Sequence, residues 1–178
     1  MNFSQWVITV PASITNDTLW KTKLHQWALF SAEIGWSDVL ALSRDKRTVS
    51  LADQLHRALG SIRANVAEGY SYGTGPNRAR LYEYALGSAR ESRHWYYMAR
   101  HILSEKVSEH RLNLMASVIR QQLSIIPEQR GKLMKEQAAW YDTHDSESIR
   151  VDLQISSESE LHLSEDPFAP SSKHSDEE

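Results

Sequence analysis

Six residues between positions 90 and 101 carry the chemistry of widest reach: Arg90, Arg93, His94, Tyr97, Arg100 and His101. On a helix they spread over the side opposite a stripe of small residues, with Trp95 and Tyr96 at the border. Arginines interleaved with aromatics can neutralise phosphates and stack on bases. The same residues also suit an ordinary exposed basic face, or a subunit interface anchored by Tyr97 and its neighbouring arginines. They are candidates for nucleic-acid or partner binding, with those readings open.

A second stretch, SIRANVAEGY (Ser61 to Tyr70), sets an Asn and a Glu among small residues and ends near a Gly. Stepped at 100° per residue, Glu68 points away from the Ile62 and Val66 stripe, and Asn65 lies on its flank. Asn65 can bond a neighbouring helix or the free carbonyls at a helix end. Glu68 is unfavourably placed near a helix C-terminus and calls for a cation, from Arg63, Arg90 or Arg93. One carboxylate with no second perturbed group makes a weak catalytic site. The structural role is the main reading of this stretch, with a nucleic-acid or catalytic role as the alternative.

Metal chemistry is not indicated. His94 and His101 are two turns apart, and no His-x-x-x-His pair occurs. Hydrolytic triads and phosphate-binding glycine loops leave no signature. No catalytic residue, metal or cofactor is expected.

The elements that must position these residues follow from periodicity. Residues 1–16 contain WVITV (Trp6 to Val10) and then Pro11, which reads as an extended arm. A first helix fits Asp17 to about Ser43. Trp20, Leu24, Trp27, Ser31 and Ile34 share one face, while Leu29, Trp36 and Leu40 form a second stripe nearly opposite. Leu29, Trp36 and Leu40 are therefore oligomer-interface candidates, with a merely half-exposed Trp36 as the alternative.

Ser50 caps the second helix, whose stripe is Leu51, Leu55, Leu59, Ile62 and Val66. A stop at Gly69 is expected, where a residue without Cβ can turn left-handed. The third helix runs from Pro76 or Asn77 to Leu103, with Leu81, Ala85, Ser88, Ala89, Ser92, Tyr96, Ala99 and Leu103 inward. Its small residues allow close approach. The fourth helix opens at Ser108 and presents Leu112, Met115, Ile119, Leu123 and Ile126. Pro127 should kink or break it before a continuation to Tyr141 with Leu133 and Met134 inward. The pattern predicts an all-α, up-and-down four-helix bundle over 17–141, after an N-terminal arm.

Charge divides the chain at the same place. Residues 1–141 carry 18 Lys and Arg against 12 Asp and Glu, a net of +6; residues 142–178 carry 2 against 11, a net of −9. The Ser-rich acidic tail from 142 to 178 should be largely disordered. RVDLQIS and ELHLS alternate apolar and polar residues there, and could form a short strand or dock on a partner. A basic body suits an anionic partner, and an acidic tail could shield it. A solvated surface with a plain tail is the alternative. The chain has no Cys, no signal-like start and no apolar run of about 20 residues, so a cytoplasmic protein without membrane contact is expected.

Ser61, Ile62, Asn65, Val66, Ala67, Glu68 and Gly69, then Ala85, Leu86, Gly87, Ser88 and Glu91, resemble the paired motif of the 23S rRNA intervening-sequence proteins, also called S23 ribosomal proteins. The resemblance runs from about Lys23 to Lys135. It implies a left-handed up-and-down bundle and, in several relatives, a ring-like homopentamer. Some relatives are encoded inside inserts in large-subunit rRNA genes. A more distant branch serves diversity-generating retroelements by binding a reverse transcriptase. No enzymatic activity is established for the family. Arg63 departs from the Pro frequent in relatives, and the acidic tail is a second departure.

These features lead to a non-enzymatic homo-oligomeric binding protein that contacts RNA, DNA or an RNA-handling protein. The alternatives are a module that recruits proteins through the first helix and the tail, or a reverse-transcriptase accessory. A tail that covers the basic face would make it autoinhibitory.

Overall fold

The computed structural model describes residues 2–130. Its helices are α1 (Phe3–Val7), α2 (Ala12–Thr15), α3 (Lys23–Ser43), α4 (Val49–Ser71), α5 (Gly75–Ala99) and α6 (Glu105–Arg130), with a 3-10 turn at Thr18–Lys21 before α3. α3 packs on α4, α4 on α5 and α5 on α6, and α6 closes back on α3. Short connections make neighbours antiparallel, so the described residues form the up-and-down four-helix bundle that periodicity predicts. The expectations for Leu133, Met134, the helix end at Tyr141 and the acidic tail lie outside the described residues.

The four stripes meet as expected. Leu55, Leu59, Ile62 and Val66 of α4 are buried, as are Met115, Ile119, Leu123 and Ile126 of α6. On α5 the small residues Ala85, Ala89, Ser92 and Ala99 are fully covered, which lets the neighbouring helices come close around Tyr96. Each large buried side chain contributes roughly 1.5–3 kcal/mol by leaving water.

The N-terminal segment departs from the extended arm. Asn2 and Gln5 form a capping box: Asn2 Oδ1 accepts from the Gln5 amide at 2.8 Å, and Gln5 Oε1 accepts from the Asn2 amide at 3.1 Å. The resulting turn buries Trp6. It also stacks Phe3 on Trp27, with ring centroids 4.2 Å apart, and sets Phe3 edge-on to Phe30 at 5.4 Å. Burying these rings outweighs the strand preference of the β-branched residues that follow.

Helix ends also move. The first helix is interrupted at Thr22, whose backbone is extended, and Gln26 donates its side-chain amide to the Trp20 carbonyl across the break. α4 begins at Val49 rather than after a Ser50 cap, because Thr48 precedes it and donates its hydroxyl to the Leu42 carbonyl at 2.6 Å. α5 ends at Ala99, four residues short of Leu103, which is nevertheless buried. α6 starts at Glu105, one turn before Ser108, where Ser104 Oγ accepts from the Val107 amide. It runs through Pro127 without ending there.

A buried charge pair links these elements. Asp38 of α3 accepts from Arg111 of α6, with Nε–Oδ2 2.7 Å and Nη2–Oδ1 3.2 Å. Tyr96 of α5, fully buried, donates its hydroxyl to the same carboxylate at 3.0 Å. Burial first, and the adjacent Asp38 charge second, hold the Tyr96 phenol well above its usual range. Removing Arg111 leaves a carboxylate 2% exposed without its cation. Arg111→Ala should therefore cost about 3–5 kcal/mol, read as a lowered urea midpoint with unchanged slope; a change under about 1 kcal/mol would show that the pair is dispensable.

His25 of α3 is buried, and its Nδ1 has no hydrogen-bond partner among the described residues. Desolvation lowers its pKa below the usual 6.5; Asp17 opposes this, and Arg63 adds to it. The folded state thus binds its proton later than the unfolded chain does. The neutral ring's contribution is present above pH 6.5 and is lost as pH falls below that value. Between pH 7.5 and 5.5, His25→Phe should lose less stability than the parent chain in denaturant titrations; parallel losses would rule His25 out as the cause.

Candidate functional site

At the corner where α5 hands over to α6, a groove of about 600 Å³ opens between Tyr97, Arg100 and His101 on one side and Glu105, Ser108, Glu109, Leu112 and Asn113 on the other. Tyr97 is 52% exposed although it is a large ring. The Arg100 guanidinium lies over that ring, 3.8 Å from its centroid, and also donates to the Tyr97 carbonyl. A cation on an aromatic face at an exposed site gains about 0.5–1 kcal/mol. The stack holds a planar charge at the surface, so the outer guanidinium face is a ready platform for another flat group.

Of the six residues first singled out, Tyr97, Arg100 and His101 line this groove. His94 is exposed, and Arg90 and Arg93 are half-buried; none of these three belongs to its lining. The α6 side was not read from sequence as part of a site. By sequence, Ser108 reads as a helix start and Leu112 as core. Helical phase alone does not say which turn of α6 faces the last turn of α5. Ser108 is 4% exposed, and its Oγ has no hydrogen-bond partner among the described residues.

The SIRANVAEGY motif builds a different feature. Ser61 Oγ accepts from Asn65 Nδ2 at 3.0 Å and from Ser88 Oγ of α5 at 2.9 Å. Asn65 also donates to the Ser61 carbonyl at 2.9 Å. Asn65 therefore bonds its own helix, and the link to α5 passes through Ser61. Ser92 Oγ in turn donates to the Ser88 carbonyl.

Gly69 does not end α4, which continues to Ser71. A Cβ at Gly69 would lie 2.8 and 2.9 Å from ring carbons of buried Tyr82 and 3.1 Å from Leu81 Cβ. The glycine serves the α4–α5 approach rather than a left-handed turn. Glu68 is exposed. Gly87 is exposed with open space at its Cβ position, and Glu91 accepts from Trp95 Nε1 at 3.2 Å. Ser61, Ser88 and Glu91 line a second groove with Gln54, Arg57 and Gly60.

The two-sided first helix is partly as expected. Trp36 is 58% and Leu40 52% exposed, and Trp36 meets His56 edge-on at 5.5 Å. Leu29 instead packs half-buried against the core. Among the described residues, no three or more His, Asp or Glu side chains gather as metal ligands, and no helix is long and apolar enough to cross a membrane.

The 23S rRNA-intervening sequence protein family model matches residues 36–124, a span that includes both grooves. No curated protein matches the chain. Among solved structures, a protein of unknown function from the S23 ribosomal protein family of Bacteroides thetaiotaomicron is similar at 19% identity. The match covers 58% of this chain and 97% of that one, with a TM-score of 0.55. At this identity the likeness is one of fold.

Proposed function

We propose, since the chain belongs to the 23S rRNA-intervening sequence protein family, that it is a non-enzymatic cytoplasmic binder of single-stranded RNA. The observation that carries this reading is the exposed Tyr97–Arg100 stack. Such a surface offers a cation for phosphate and a planar face for a base. His94 and His101 flank it, both exposed. The +6 balance of residues 1–141 favours an anionic partner over an acidic surface. The family's name supports an RNA setting, and the surface chemistry supports contact with RNA itself.

A labelled single-stranded RNA titrated with the full chain at several salt concentrations tests this. Binding should weaken as salt rises, through release of counterions. Tyr97→Ala with Arg100→Ala should weaken it further by about tenfold, since base stacking is worth about 1–3 kcal/mol per base. Affinity indifferent to both salt and the double variant would end the RNA reading.

The exposed pair Trp36 and Leu40 favours a second element of the reading, self-association through α3. Large apolar side chains one turn apart at the surface make an interface core more readily than a solvated face. Sedimentation velocity should show an assembly larger than one chain. Trp36→Glu should shift it toward monomer; a monomeric parent chain, or a variant that sediments unchanged, would remove α3 as the interface.

A further inference from the structure

The groove at the α5–α6 corner has two walls of unlike chemistry. The α5 wall is flat and cationic: the Arg100 guanidinium lies on Tyr97, with His101 beside it. The α6 wall supplies Glu105, Glu109 and Asn113 as hydrogen-bonding groups and Leu112 as an apolar surface. Glu105 and Glu109 are four residues apart, so both project from one side of α6. A volume of about 600 Å³ is ample for one nucleotide.

Two carboxylates facing a stacking platform discriminate among flat ligands. A carboxylate accepts hydrogen bonds and offers none. It therefore favours a ring that presents an amino group and disfavours one that presents carbonyl oxygens. Adenine, cytosine and guanine each carry an exocyclic amino group. Uracil carries two carbonyls and a single ring N–H. The phosphate of the same nucleotide is repelled by Glu105 and Glu109 and attracted by Arg100 and His101. This sets the base toward α6 and the backbone toward α5.

We propose that this groove receives one unstacked, amino-bearing base of a single-stranded RNA, stacked on Arg100 with its amino group on the α6 carboxylates. The proposal rests on the RNA reading above and adds base selectivity to it. Asn113 adds a polar residue to the same wall. The basic surface alone does not imply such a preference, because phosphate contacts carry no sequence information.

The test uses the full chain with labelled oligo(C), oligo(A) and oligo(U) in fluorescence anisotropy at fixed salt. Oligo(C) and oligo(A) should bind about tenfold more tightly than oligo(U), the scale of one good base-edge contact. Glu105→Gln with Glu109→Gln should narrow that gap by raising oligo(U) affinity, because an amide can donate to a carbonyl. Both residues are exposed, so the double variant should keep the parent circular dichroism spectrum and melting behaviour. Equal binding of all three oligomers, or a preference that the double variant leaves intact, overturns the groove while the RNA reading stands. Binding to none of the three removes both.

Discussion

The arrangement of the bundle depends on a negative charge buried where three helices meet. Asp38 comes from α3, Arg111 from α6 and Tyr96 from α5. A buried carboxylate is tolerated only with its cation and hydrogen bonds in place. A sliding helix would separate these groups, whereas Leu and Ile surfaces can repack after a shift. The fourth helix is tied to the same level by packing. Gly35, one turn before Asp38, leaves room for Leu59 of α4 and for the Tyr96 hydroxyl: an added Cβ would lie 2.3 Å from Leu59 Cδ1 and 3.1 Å from the hydroxyl oxygen. The charge pair aligns the helices, and apolar burial supplies most of the stability.

Two further contacts complete the scaffold. Phe3 and Trp6 join Trp20, Trp27 and Phe30 in an aromatic cluster that anchors the N-terminal segment to α3. Ser61, Asn65 and Ser88 form a polar link on the α4–α5 side, while Gly69 and Tyr82 set the close approach of those helices nearer the turn. Polar groups here use hydrogen bonds that pure methyl packing would lack, so the contact is specific as well as close.

The surface chemistry is separated from this scaffold. The family motif is mostly occupied with holding α4 against α5. The Tyr97–Arg100 stack stands at the C-terminal end of α5, where both side chains remain open to solvent. Trp36 and Leu40 lie on α3, outside the lining of the corner groove. The bundle can therefore present a ligand groove and an apolar face without either disturbing the core.

Much of this is legible in the sequence alone. The apolar steps of three and four residues on α4 and α6 determined which faces go inward, because each helix must hide its stripe. The same reasoning left Trp36 and Leu40 outside and placed Tyr97, Arg100 and His101 on the surface. It did not find the pairing of Asp38 with Arg111, 73 residues apart, because an acid on an apolar face carries no mark of its partner. It read WVITV as extended because residue preference is local, whereas the helical turn is stabilised by burying Phe3 and Trp6 against α3. It read Gly69 as a stop because a glycine needed for close packing looks the same in sequence as one needed for a turn. The groove belongs to the same class. Its α5 half could be read from residue types, but only the packing of two helices decided that Glu105, Ser108, Glu109 and Asn113 face it.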